Sequence, residues 1–233
     1  MPPVVIDPKK LRPFETEAAF EVWLAKHHDR ETELWIKFHK KGSGLPTIVY
    51  KQALDVALCW GWIDGLAKSL DDTSYAQRFT PRKAKSIWSQ VNREHVARLE
   101  AAGRMTEHGR KQVDAAKADG RWDAAYASPS KMELPAELAT AIAADPRAAA
   151  TLASLDKMSR YALAFRTHHV KTPEARARKI AGFVALLASG KGPLDDTKWN
   201  PKAMAARKAA AKKPAAKRTA PKRAAAKRTA PKK

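Results

Sequence analysis

Apolar residues recur along the first half of the chain with two different periods. From Thr16 a helical spacing places Phe20, Trp23 and Leu24 on one face and charge on the other. Glu33 to His39 instead alternates around Leu34, Ile36 and Phe38, the pattern of a half-buried strand. A loop with two glycines and a proline, Lys40 to Pro46, leads to a second helix carrying Tyr50, Leu54, Ala57 and Leu58 and ending at Gly61. Trp62–Leu66 and Tyr75–Thr80 read as two further strands around the turn-forming Asp71-Asp72-Thr73. From Ser86 the stripe Trp88, Val91, Asn92, Val96, Leu99 predicts a helix with Gly103 past its end, and Thr106–Asp119 predicts another before Gly120.

Beyond Trp122 the pattern is helical throughout. Pro135 opens a segment with Leu138 and Ile142, and Met158, Tyr161, Ala162 and Phe165 follow i, i+3, i+4, i+7 spacing. Thr172-Pro173-Glu174 combines a hydroxyl cap, a first-turn proline and a carboxylate near the positive end of the helix dipole. The helix it starts buries Ile180, Phe183, Val184 and Leu187 and ends at Gly190. The expected fold is therefore α+β: a small antiparallel sheet of about three short strands packed with helices, then a helical C-terminal portion. We divide the chain into a flexible N-terminus (1–13), an α+β domain (14–125), a helical extension packed on it (126–192) and a disordered basic tail (193–233).

Charge sharpens that last boundary. The chain holds 45 Lys and Arg against 24 Asp and Glu, a net charge of +21. The last 33 residues carry 13 of those cations and no acid, which leaves the first 200 at +8. Residues 215–223 (AAKRTAPKR) and 225–233 (AAKRTAPKK) repeat almost identically, and residues 201–233 contain no aromatic, Ile, Val or Leu. It has nothing to bury against the entropy of ordering, so we expect it to be disordered when free. Lys212, Lys213, Lys217, Arg218, Lys222, Arg223, Lys227, Arg228, Lys232 and Lys233 are the candidate nucleic-acid contacts. They present charge to phosphates without base-reading geometry, and DNA is the favoured partner although nothing in the tail separates it from RNA. If about six cations neutralise phosphates, log affinity falls against log salt with a slope near −5. The composition resembles the Lys-Ala-Pro tails of linker histones. A solubilising tail or one that touches anionic lipid is the alternative, and the lack of aromatic anchors disfavours a membrane surface.

One cysteine, Cys59, permits no internal disulfide and suits a reducing compartment. Met1–Lys10 has three prolines and no apolar run, and no segment approaches the ~20 apolar residues of a membrane span. The expected location is the cytoplasm, with nucleoid association through the tail.

Candidate chemistry concentrates between Leu58 and Asn92. Trp60, Trp62 and Trp88 alternate there with Asp64, Arg78, Arg82, Ser86, Ser89 and Asn92. A buried indole N–H needs a partner, so this density implies a polar-lined pocket or a hydrogen-bonded core. Trp60, Trp62, Asp64, Arg78, Arg82, Ser86, Trp88 and Asn92 are the candidate ligand-binding residues. Against a ligand site stands a structural Asp64–Arg82 ion pair. Arg78, Arg82, Lys83 and Lys85 beside Trp88 form either a phosphate-and-base site or a solvated basic loop.

The same residues carry a resemblance. Ala57-Leu58-Cys59-Trp60-Gly61-Trp62-Ile63-Asp64-Gly65, Arg78-Phe79-Thr80-Pro81-Arg82, Ser86-Ile87-Trp88-Ser89, Asn92, and Gly103 with Met105 are similar to the signature of the YdeI/OmpD-associated (bacteriocin-protection) family. Leu34-Trp35-Ile36, Gly120-Arg121-Trp122, Arg160-Tyr161 and Arg176-Ala177-Arg178-Lys179-Ile180 fit as well, so the likeness spans about residues 14–192. Trp60 departs from it, standing where a smaller aromatic such as Phe is expected, and the tail lies outside it. The resemblance implies a cytoplasmic bacterial protein with a stress or envelope-protection role, and no settled activity.

Catalytic and metal constellations are absent from the linear sequence. Cys59 has only Trp and Leu beside it and reads as a small core residue rather than a nucleophile. The adjacent pairs His27-His28 and His168-His169 diverge by about 100° on a helix and lack spaced carboxylate or Cys partners. Gly42-Ser43-Gly44 is too short for a phosphate loop. We expect no cofactor, no metal and no catalytic residue. The leading expectation is a non-catalytic accessory protein recruited to nucleic acid by its tail. The alternative is a small-molecule binding protein or enzyme using Trp62, Asp64, Arg82 and Trp88.

Overall fold

A computed structural model describes residues 4–195. They fall into two compact units divided between Glu133 and Leu134.

The first unit begins with a short 3-10 turn, Pro8–Lys10, which Asp7 caps through its side chain, and strand β1, Leu11–Pro13. Helix α1 (Glu17–His27) follows, its start fixed by Thr16 Oγ1 accepting from the Ala19 N–H at 3.2 Å. Then come β2 (Leu34–His39), α2 (Tyr50–Cys59), and the hairpin β3 (Trp62–Ser69) and β4 (Ser74–Pro81). Helices α3 (Gln90–Ala101) and α4 (Glu107–Ala118) complete the unit, started by the Ser89 and Thr106 hydroxyls.

The α+β class holds, but the sheet has four strands in the order β1-β2-β4-β3, and it is mixed. β2–β4 and β4–β3 are antiparallel as expected, whereas β1 runs parallel to β2 with Leu11 opposite Trp35. Three residues are too few to show alternation, and for that reason Leu11–Pro13 reads as flexible N-terminus in sequence. Two apolar clusters sandwich α2. Phe20, Leu24, Ile36, Phe38, Val56 and Phe79 lie on its sheet side, and Leu54, Leu58, Trp88, Val96, Leu99 and Val113 lie between α2, α3 and α4.

Helix α3 starts at Gln90, later than the stripe from Ser86 suggests. Trp88 precedes it in an extended segment, where Ser89 forms a β-bridge with Tyr126.

The second unit contains α5 (Ala136–Ala143), α6 (Pro146–Ser154), α7 (Lys157–His168) and α8 (Pro173–Ala188). Asp145, Asp156 and Thr172 cap the last three through their side chains. Leu138, Ile142, Ala148, Leu163, Phe183 and Leu187 form its core. On α7 the buried face is Ser159, Leu163, Ala164 and Thr167, not the expected Met158/Phe165 stripe. Small side chains allow close approach on that face, and the Thr167 hydroxyl is satisfied by donating to Leu163 O at 2.8 Å. Tyr161, Phe165 and His169 instead pack ring against tilted ring along the half-buried side.

Candidate functional site

The Trp-rich segment is shaped by the joint between the end of α2 and the start of α4. The Cys59 carbonyl, one of the last of α2, accepts both the backbone N–H of Thr106 at 3.2 Å and its hydroxyl at 2.5 Å. Gly109 sits against this end of α2 so closely that a Cβ would lie 2.3 Å from Cys59 O and 2.7 Å from Leu58 O. Gly61 takes a φ of +73°, which turns the chain sharply from α2 into β3.

That joint brings together rings far apart in sequence. His108 stacks on Trp60 at 5.6 Å and 12°, and His28, at the end of α1, lies 5.0 Å from Trp60 and 3.9 Å from His108. The His28 Nδ1–H donates to Leu24 O at 3.0 Å, and Trp62 Nε1 donates to His28 O at 3.2 Å. A recess of about 200 Å³ opens beside these groups, lined also by Arg82, Lys111 and Gln112. His28, His108 and Lys111 were not legible as a group, because only the α2–α4 joint makes them neighbours.

Arg82 is the most unusual of the expected site residues. It is only 7% exposed, and its guanidinium carbon lies 3.5 Å from the centre of the Trp88 ring. Nη1 donates to Ile87 O at 3.3 Å, while Nε and Nη2 are buried with no hydrogen-bond partner among the described residues. Burial lowers its pKa to about 10, opposed by the charges of Tyr126 and Asp64. The Asp64–Arg82 ion pair weighed from sequence is not formed. Asp64 instead accepts the Tyr50 hydroxyl at 2.8 Å, and burial followed by the Asp64 charge pushes that phenol well above its ordinary range.

The remaining expected residues make the following contacts within the fold. Trp62 is 1% exposed and packs edge-on against Trp23. Trp88 is buried between Arg82 and Trp122, so its face is not open to an incoming base. Arg78 binds Glu33 through Nε at 2.7 Å, and Lys10 reaches the same carboxylate at 3.3 Å, tying together the entries to β1 and β2 and the middle of β4. Ser86 accepts from the Lys83 N–H, its carbonyl accepts from Arg121, and the Asn92 backbone N–H donates to Ser89. The ten tail cations lie outside the described residues.

A polar cluster that sequence reading did not single out joins α2 to α3. Asp55 is buried, and its carboxylate contacts His95 Nδ1 at 2.5 Å and Arg98 Nη2 at 2.7 Å. Burial alone would raise its pKa, but the hydrogen bonds from Arg98 and His95, with their charges, outweigh this and hold it below the ordinary range. The sequence signal was there: Asp55 interrupts the apolar run Leu54–Cys59, and a carboxylate on a buried face needs a partner. Nearby Cys59 is buried, and burial pushes its thiol up to about 11.

Among the described residues no group of three or more His, Cys, Asp or Glu is placed to hold a metal ion, and no helix is long and apolar enough to cross a membrane. The second unit carries a wider groove of about 1200 Å³ along α8, walled by Ala177, Ile180, Ala181 and Val184 with Glu137 and Arg176 at its edge.

No curated protein and no solved structure matches the chain. Two family models do, and each falls within one compact unit or nearly so. Residues 12–112, which include the Trp-rich segment, match one described as Domain of unknown function (DUF8412). Residues 131–190 match the one described as Bacteriocin-protection, YdeI or OmpD-Associated. Over its helical unit the chain is therefore similar to the bacteriocin-protection, YdeI or OmpD-associated family.

Proposed function

We propose that this chain is a non-catalytic accessory protein of the bacteriocin-protection type, held on nucleic acid by its basic tail. The match over residues 131–190 supports the first half of this reading. The tail reading is carried by one observation: residues 201–233 hold 13 Lys or Arg, no acid and no aromatic, Ile, Val or Leu. Two features of the folded part favour binding over catalysis. Cys59 is buried with a raised pKa, and the Asp55–His95 pair is closed off by Arg98. Under this reading the protein works in the cytoplasm, associated with the nucleoid, as part of a stress response.

A salt titration of DNA binding by the full chain and by a 1–200 truncation tests the tail. The full chain should bind with a log–log slope near −5, and the truncation should bind far more weakly. Equal binding by both, or by neither, would remove the tail from the function.

A second reading, recognition of a small molecule by the Trp60/Trp62/Asp64/Arg82/Trp88 region, is favoured by the recess of about 200 Å³ that Trp60, Trp62 and Arg82 line.

A further inference from the structure

We propose that the groove along α8 is the docking site of this chain's own residues 196–204, with the Trp199 side chain seated in it. The proposal concerns the second unit alone, and it leaves the basic repeats beyond residue 204 free to reach nucleic acid.

The groove lays open the flank of an apolar core. Ala141 of α5, Val170, and Ile180, Ala181, Val184 and Ala188 of α8 wall a space of about 1200 Å³. Ile180, Val184 and Ala188 pack on the core of the unit and stay half-buried, and Ala181 is exposed. A contiguous apolar surface of this kind marks a place where something binds.

Connectivity selects the occupant. Ala188 and Ser189 line the groove where α8 stops. Just beyond, the chain folds back on the unit. The Lys191 N–H donates to Leu186 O at 3.3 Å, Arg166 Nη1 donates to Pro193 O at 3.1 Å, and the Asp195 carboxylate accepts the Gly192 N–H at 2.6 Å. Asp195, the last described residue, therefore stays close to the last turn of α8, and residues 196–233 leave from there. Four residues span up to about 13 Å and nine up to about 30 Å, against about 24 Å for the 16-residue helix. Trp199 can thus reach the middle of the groove, and Met204 its far end.

Composition agrees with this choice. Trp199 and Met204 are the only large apolar residues in 196–233; the others are Ala, Pro, Thr, Asn, Asp, Lys and Arg. An indole buries a large apolar surface while its N–H can stay at the open side. The rim carries both signs, Glu137 and Asp145 with Arg147, Lys171 and Arg176, so it does not favour the cationic repeats. Tethering makes a weak contact sufficient. A short linker gives an effective concentration of about 1 mM, at which a contact with a Kd of about 0.1 mM is about nine-tenths formed.

The test is an NOE experiment on the ¹³C,¹⁵N-labelled full chain. The Trp199 indole N–H, assigned by its loss in Trp199→Ser, should show NOEs to the methyl groups of Ala181 and Val184. Ala181→Glu, a charge placed in the groove at an exposed helical position, should abolish them. Gly182→Ala, on α8 outside the groove wall, should leave them in place. Trypsin cleavage after Lys202 should be about tenfold faster in Ala181→Glu and in Trp199→Ser than in the parent, because nine-tenths docking leaves one tenth open to the protease. Trp199→Ser should bind DNA as the parent does, so this proposal and the tail reading fail separately. The proposal is overturned if the NOEs are absent, if they survive Ala181→Glu, or if Lys202 is cut at one rate in all three proteins. NOEs seen only between differently labelled copies in a mixed sample would make the groove an interface between copies, and would overturn it as well.

Discussion

Arg82 lays its guanidinium flat enough on Trp88 to bring its central carbon 3.5 Å from the ring centre, and it does so while only 7% exposed. Its charge is thereby removed from water with no carboxylate partner among the described residues, an arrangement in which desolvation rivals the attraction gained. Replacing it with a similarly shaped apolar residue should therefore cost little. We expect Arg82→Met to shift unfolding free energy by no more than about 1 kcal/mol, measured by urea denaturation.

Asp55 should behave oppositely. Its partners His95 and Arg98 hold its folded pKa below the 3.8 of the free group, so the unfolded chain binds its proton more readily. The stabilisation is present above pH 3.8 and disappears as the pH falls through the lower, folded value. Asp55→Asn should cost about 1–3 kcal/mol at pH 7. The difference between the two proteins should shrink steadily in urea melts below pH 3.8, and a gap that stayed constant would detach Asp55 from acid stability.

Two glycine-to-alanine changes make a matched pair. Both residues sit inside helices, where alanine is intrinsically better by about 1 kcal/mol. At Gly182 on α8 the added Cβ meets nothing within 4 Å, so Gly182→Ala should stabilise by up to about 1 kcal/mol. At Gly109 it would strike the Cys59 and Leu58 carbonyls, which are backbone and cannot swing aside. Gly109→Ala should destabilise by about 1–3 kcal/mol and, by prising α4 from α2, separate His108 from Trp60. Thermal melts of the two variants should move in opposite directions.

Cys59 gives a probe of the same joint. With its thiol pushed up to about 11, roughly one molecule in a thousand carries the reactive thiolate at pH 8. Iodoacetamide should leave the native protein unmodified over hours and label it within minutes in denaturant. Rapid native labelling would mean that the end of α2 opens on its own.

What could be read from the chain and what could not divide along the range of the forces involved. Local rules located β2, the β3–β4 pair and the capped starts of α1 and α8, because alternation and capping involve residues at most a few positions apart. Thr172 accepts from Ala175, and Thr16 accepts from Ala19. The same rules marked residues 58–92 as the densest chemistry of the body, and the basic repeat is plain in composition.

The pairings inside that segment depended on surfaces that meet only in the folded chain. Arg78 found Glu33, 45 positions away, and Arg82 took the Trp88 ring in place of Asp64. The buried face of α7 was chosen by close packing rather than by its largest apolar side chains. The sequence by itself determined the α+β class, the capped starts of α1 and α8 and the charge asymmetry, all of which need only neighbouring residues. Only the tertiary structure decided that His28, Trp60, Arg82, His108 and Lys111 share one recess. The α2–α4 joint at Gly109 places them there, and such a close approach leaves no local pattern in the chain.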